Sequence, residues 1–179
     1  MNRLIRIMGG TLKIRDVDEL LQKIFVFSQH HQVCVQVLNA RVVFGKEHLL
    51  SAAEHAIRAM RQNRNTMNSL AMEVLLYASG ERQIKLGIKK MGVTKGAGEI
   101  AVVLIESLEN IPEAKGTVTN QSVERFLKSL GFVRDDKVLE GDMDTLKKFG
   151  VTKKELQTVP EVKYGHLILE KIAMVDVIK

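Results

Sequence analysis

The sequence predicts an α/β fold of the α+β kind: a single domain, with a small mixed β-sheet surrounded by helices. Three observations carry this expectation. Short β-branched or apolar runs at Val33–Leu38 and Glu99–Glu106 read as strands. Stretches with apolar residues at helical spacing lie around and between them. Finally, 179 residues with 45% hydrophobic content, free of repeats, low-complexity tracts and Pro/Gly-rich linkers, suit one domain with its own core over 1–179.

The elements follow in order. Leu4 to Met8 alternates apolar and basic residues like an outer strand, which is expected to end at Gly9-Gly10. Asp16-Val17-Asp18-Glu19 has the form of a capping box and opens a helix through about Ser28. After the Val33 strand, Leu49, Ala52, Ala53, Ala56, Ile57 and Met60 predict an amphipathic helix from Lys46 to Gln62. Between Asn68 and Ile88, the residues Leu70, Ala71, Met72, Val74, Leu75, Leu76 and Ala78 surround one charge, Glu73. A helix apolar all round is a buried one. Ser79 reads as an N-cap and Gly80 as a cheap turn, starting a second helix that stops at Gly92. Lys95–Gly98 reads as the loop before the Glu99 strand.

Past Pro112 the pattern weakens, and 111–163 reads as an elaboration of the domain. Within it, Ser122–Leu130 forms a helix with Val123, Phe126, Leu127 and Leu130 inward, stopped by Gly131. Asp142–Phe149 is a short helix, and Thr152-Lys153-Lys154-Glu155 is another capping box. A last helix covers Glu161–Ile172.

Charge and composition narrow the function classes. A formal charge of +6 and a pI of about 9.5 favour an anionic partner. Aromatics are only 4%, with no Trp, so an RNA contact would rest on phosphates and shape more than on base stacking. Cys34 is the only cysteine, which excludes an internal disulfide and a cysteine zinc cluster. MNRLIRIMGG does not read as a signal peptide, and Ile100–Ile105 falls far short of the ~20 apolar residues that span a bilayer. The expectation is a cytoplasmic protein with no membrane partner.

No catalytic, metal or cofactor set emerges. His48 and His55 share a helix face but lie ~10.5 Å apart at 1.5 Å rise per residue, too far for one metal to bind both at ~2.0–2.1 Å. His30 and His31 are neighbours that point apart in a helix. Ser79 is outside any G-x-S-x-G turn, Cys34 lies in an apolar strand, and the glycines near Lys95 do not form a nucleotide P-loop. A non-enzymatic chain without a cofactor is therefore expected.

The strongest positive signal is a basic stripe. At 100° per residue, Arg82, Lys85 and Lys89 fall within about 60° of one another, opposite Ile84, Ile88 and Met91. The stripe starts beside a helix N-terminus, where free N–H groups and the dipole favour anions. Ser79 and Gly80 would expose backbone donors there, with Gln83 adding another. The ordinary alternative is a solvated helix face. Arg58, Arg61 and Arg64 repeat the spacing at the end of the preceding helix, where cations complement the dipole by roughly 0.3–1 kcal/mol or meet an RNA backbone. Glu73 must meet a cation, such as Arg82 or a nearby lysine, or backbone donors.

The run Ala78-Ser79-Gly80-Glu81-Arg82-Gln83-Ile84, preceded by Asn68 and Glu73, resembles the signature of the small kinase-binding subunit of the KEOPS complex, the TPRKB or PRPK-binding-protein family. Leu38-Asn39-Ala40, His48-Leu49 and Ala52 extend the resemblance upstream, and Leu169-Glu170-Lys171-Ile172-Ala173 resumes it. Gly87 stands where that family usually has alanine, a helix-propensity cost of about 1 kcal/mol with no expected polar consequence. The resemblance implies an accessory subunit that binds a small PRPK-like kinase/ATPase and grips tRNA near its 3′ CCA end. It would meet other KEOPS subunits only indirectly while supporting threonylcarbamoyladenosine synthesis. Ser79, Gly80, Arg82, Gln83, Lys85 and Lys89, with Arg61 and Arg64, would then contact tRNA phosphates. The kinase contact is expected on the apolar face of the last helix and tail, at Leu167, Leu169, Ile172 and Val175, residues whose alternative role is core. A stand-alone RNA-binding module and a dimeric structural protein with a basic face are the rival readings.

Overall fold

The computed structural model describes residues 4–178. Four strands, β1 (Leu4–Ile14), β2 (Cys34–Asn39), β3 (Gly96–Glu106) and β4 (Val133–Arg134), form one sheet in the order β2-β3-β1-β4. Every described pairing is antiparallel, so the sheet is small as expected but not mixed. The helices are α1 (Val17–His31), α2 (Lys46–Arg61), α3 (Leu70–Ser79), α4 (Ile84–Met91), α5 (Asn120–Ser129), α6 (Met143–Phe149), α7 (Lys153–Leu156) and α8 (Tyr164–Ile178).

Strand alternation decides the layering. On β3, Ile100, Val102 and Leu104 face one side, together with Met8, Leu12, Val35 and Val37. That face is covered by Leu20, Ile24 and Phe27 of α1 and by Val123 and Leu127 of α5. The intervening Ala101, Val103 and Ile105 face the other side, under α2, α3 and α8. A period of two thus feeds two cores from one strand, and the α+β domain has helices on both sheet faces.

Two glycine signals read as strand ends turn out to lie within strands. β1 continues through Gly9-Gly10, because a side chain at Gly10 would collide with the Val133 backbone and the Phe132 ring. A side chain at Gly9 would meet Leu139 and Val138. The pair is a seat for the β4 segment, a close approach that glycine in a strand permits. Likewise Gly96-Ala97-Gly98 pairs with Ile14, Lys13 and Leu12 and is not a loop. The backbone ladder needs no side chains there.

Three helix starts carry the side-chain caps that hold them. Asp16 accepts from the Glu19 N–H, and both Asp142/Thr145 and Thr152/Glu155 close full capping boxes. The last helix is longer than expected: a 3₁₀ turn covers Glu161–Lys163, and α8 runs on to Ile178. Its final turn is fastened by Asp176, which accepts from the Tyr77 hydroxyl and lies 2.8 Å from His55 Nδ1 and 3.2 Å from Arg58 Nη2. Among the described residues no helix is long and apolar enough to cross a membrane.

Candidate functional site

Helices α2 and α3 form an antiparallel pair. His48, near the start of α2, has Nε2 2.8 Å from the carbonyl of Ala78, near the end of α3. Glu73 is fully buried between them and accepts from the Thr66 N–H at 3.0 Å and the Met67 N–H at 2.8 Å. Backbone donors, as expected for a buried carboxylate, thus engage it and tie down the loop before α3.

The Ser79-Gly80 pair is a helix stop, where a helix start was expected. Ser79 is the last residue of α3 and is fully buried. Its hydroxyl donates to the Leu76 carbonyl at 2.8 Å and accepts from the Glu81 N–H at 3.3 Å. Gly80 is the C-cap in the left-handed region, at φ 66°, with its N–H on the Tyr77 carbonyl at 3.0 Å. A serine hydroxyl in a last turn folds back on the i−3 carbonyl, and glycine enters the left-handed region without a Cβ penalty. Neither residue therefore presents a donor to an anion. Gly80 instead packs against Phe149 and Lys171, so Ala78–Ile84 meets Leu169–Ala173 in space.

Helix α4 begins one turn later, at Ile84, with Gln83 as an N-cap that makes no side-chain bond. The Leu86 and Gly87 N–H groups return to the Gln83 carbonyl at 3.0 and 3.1 Å. Those of Ile84 and Lys85 are left at the open end among the described hydrogen bonds. Arg82, Gln83, Lys85 and Lys89 are all exposed, and no carboxylate among the described residues pairs with any of the three cations. The inward stripe is Ile84, Gly87 and Met91, which leaves Leu86 and Ile88 47% and 48% exposed on the outer face. Ile88 was expected inside. Gly87 sits so close to α3 that an added Cβ would lie 2.9 Å from Ser79 Oγ and 3.0 Å from a Leu75 methyl. The glycine has a packing reason and, contrary to expectation, a polar neighbour.

Lys90 turns away from the stripe lysines, Lys85 and Lys89. Its Nζ donates to the Ser79 carbonyl at 2.8 Å and to Glu81 Oε1 at 3.1 Å, and lies 4.0 Å from the Phe149 ring centroid. Burial pushes its ammonium below the ordinary lysine range; Glu81 opposes that shift, and Lys171 adds to it.

The other expected contacts are dispersed. Arg61 and Arg64 are exposed at the far end of α2, beside the start of α3. That is about ten residues of helix, ~15 Å, from the Gly80 turn, so they do not join the α4 cations. Arg58 is engaged by Asp176. On α8, Leu167, Ile172 and Val175 are buried and Leu169 is partly buried against the same core, which makes the expected kinase-contact face the core-facing one. Met174, Val177 and Ile178 are the large apolar residues that this helix exposes.

The remaining reactive side chains are occupied. His48 Nδ1 accepts from the Phe44 N–H at 3.1 Å, and burial, opposed by the Ala78 bond, lowers its pKa to about 4. Burial pushes the Cys34 thiol far above its ordinary range, so it stays protonated. Among the described residues no group of three or more His, Cys, Asp or Glu could hold a metal ion. Sequence reasoning missed the roles of Lys90 and Asp176. Lys90 lies outside the stripe, and its only signal in the chain is its place between the inward Gly87 and Met91.

Fold and face together define an α+β protein whose short α4 carries un-neutralised cations at its open end. The sequence profile of the kinase binding protein CGI-121 family matches residues 12–176. The regulatory protein Cgi121 of Methanocaldococcus jannaschii is 30% identical over 148 residues, which span 80% of this chain and 84% of that protein. The chain belongs to the CGI-121 kinase-binding protein family.

Proposed function

We propose that this chain is a non-catalytic accessory subunit of the KEOPS tRNA-modifying complex. It binds the small PRPK-like kinase/ATPase of that complex, holds tRNA at its 3′ CCA end, and supports threonylcarbamoyladenosine synthesis in the cytoplasm. Membership of a family described by kinase binding supports the first part. The observation that carries the tRNA part is the outer face of α4, where Arg82 and Lys85 stand at the open end and Lys89 one turn further on, all exposed without acidic partners among the described residues. Phosphates lie against these cations and the N–H groups of Ile84 and Lys85, as anions do at helix N-termini. Gln83 reaches a ribose or base edge. Ser79 and Gly80 shape the turn without touching RNA, and Arg61 and Arg64 meet a more distant stretch of backbone. The kinase docks on the outer face of α8, at Met174 and Val177, and the other KEOPS subunits are reached only through it.

The test is Arg82→Glu with Lys85→Glu, measured by filter binding over a salt series and by size-exclusion co-elution with the kinase. Removing two single-strand phosphate contacts shrinks the salt slope by about 1.4 and weakens tRNA binding by roughly tenfold or more. Kinase co-elution survives. Val177→Asp gives the reverse pattern, losing the kinase and keeping tRNA. Unchanged tRNA affinity and slope in the double variant would sink the RNA reading.

A further inference from the structure

Of the three lysines in α4, Lys90 is the one whose charge is spent inside the molecule. Its side chain is 17% exposed, and its two hydrogen bonds hold both ends of a short arc. Ser79 is the last residue of α3, so its carbonyl is one the helix leaves without an internal donor. A cation at that carbonyl also complements the negative end of the helix dipole. Glu81 lies within the turn that follows, and the Phe149 face backs the ammonium from α6. One side chain near the end of α4 thus grips the residue before the turn and a residue inside it. Gly87 supplies the complementary contact by letting α4 approach Ser79 closely.

The turn is also held by the Gly80 cap, by the Glu81 N–H on Ser79 Oγ and by the burial of Gly87 and Met91, but among the described residues Lys90 makes the only side-chain hydrogen bonds from α4. Gln83 makes no side-chain cap, and α4 has only eight residues, about 12 Å of helix. A tilt of roughly 10° about the turn moves the far end of such a helix by about 2 Å, enough to misplace Lys85 and Lys89 relative to a phosphate chain.

We propose that Lys90 is a positioning residue for the RNA contact: by locking α4 to the end of α3 it sets where Arg82, Lys85 and Lys89 stand, without touching RNA itself. The proposal rests on the phosphate-contact reading of α4 given above. Without the lock, RNA must order the turn as it binds, and that ordering subtracts from affinity. No phosphate contact is lost, however, so the counterion release is unchanged. These two consequences separate positioning from contact.

The experiment compares Lys90→Met, Lys90→Arg and Lys89→Met in the full chain, binding a tRNA transcript over a series of salt concentrations. Lys90→Met keeps the aliphatic stem on Phe149 and removes the charge. Its affinity falls roughly fivefold while the slope of log K against log salt stays at the wild-type value. Lys90→Arg recovers most of the affinity. Lys89→Met reduces the slope by about 0.7, the signature of a lost phosphate contact. A thermal melt verifies that each variant is folded at the assay temperature. If Lys90→Met is not, Glu81→Gln, which loosens the same link from its other end, is measured in its place with the same expectation. Wild-type affinity in the folded variant overturns the proposal, and so does a slope that falls as in Lys89→Met. If neither Lys89→Met nor the Arg82/Lys85 reversal moves binding, the phosphate-contact reading fails, and the positioning role fails with it.

Discussion

His48 shows how one buried side chain sets a condition on the whole chain. Its Nδ1 accepts from the Phe44 N–H, so the ring proton sits on Nε2 and is donated to the Ala78 carbonyl. The neutral ring is the form that fits, and burial depresses its pKa to about 4 from the ordinary 6.5. A depressed folded pKa means that the unfolded chain binds the proton more readily. The stabilisation is therefore fully present above pH 6.5 and is lost as pH falls toward 4. With those two values the loss amounts to about 2 kcal/mol by pH 5. Urea unfolding of wild type and His48→Gln at pH 7 and pH 5 checks this, since glutamine offers an acceptor and a donor but does not titrate. The wild type should lose about 2 kcal/mol more than the variant between the two pH values. A stability difference that is flat with pH would show that His48 carries no such proton linkage.

At the scale of elements, the α3–α4 contact sets two effects at Gly87 against each other. Alanine improves helix propensity by about 1 kcal/mol, yet its Cβ would lie within 2.9 Å of a Ser79 hydroxyl held on the Leu76 carbonyl. Overpacking of this kind costs about 1–3 kcal/mol, so Gly87→Ala should lower the melting temperature, and α4 should shift outward. An unchanged or higher melting temperature would mean that the two helices part at negligible cost. The same pair of helices shows where the sequence was legible and where it was not. The α2 face, the short helix from Asp142, the capping box at Thr152, and the β2 and β3 runs each have a local cause and could be read directly. Ser79-Gly80 could not, because a serine followed by glycine suits a helix start and a helix stop equally well. The true start at Gln83 gives no signal, since glutamine is not a favoured N-cap. On α8 apolar residues occur all round, and only packing decides that Leu167, Ile172 and Val175 point in while Met174 and Val177 point out. The Lys90–Ser79 link depends on how α4 folds back on α3, and the Tyr77–Asp176 link joins residues 99 apart in sequence, so neither is encoded by a local pattern.

On the scale of the molecule, the sheet divides the apolar interior into two unequal cores. The core under α2, α3 and α8 is the larger, and it holds Tyr77, Leu49 and Ile57 without exposure. The other is built from α1, α5 and the opposite sheet face, with Phe27 stacked on Phe126 at 4.0 Å between centroids. Its covering helix α1 leaves Leu21, Phe25 and Val26 about half exposed, so much of its apolar surface contributes no burial. Opening free energies follow buried apolar area and local contact density. The α1–α5 layer should therefore open at lower free energy than the α2–α3 layer, while β3, which lines both cores, should open only on global unfolding. Native-state hydrogen exchange across a low-denaturant series tests this directly. Amides of α1 and α5 should exchange through sub-global openings, whereas those of Val102 to Ile105 should track the global unfolding free energy. Equal protection across both helical layers would mean that the sheet couples the two cores into one cooperative unit. The ordering matters for the proposed contacts, because α4 and α8 both rest on the larger core. The face assigned to RNA and the face assigned to the kinase then stay rigid while the far layer opens, and tRNA binding should not change the exchange of α1 or α5.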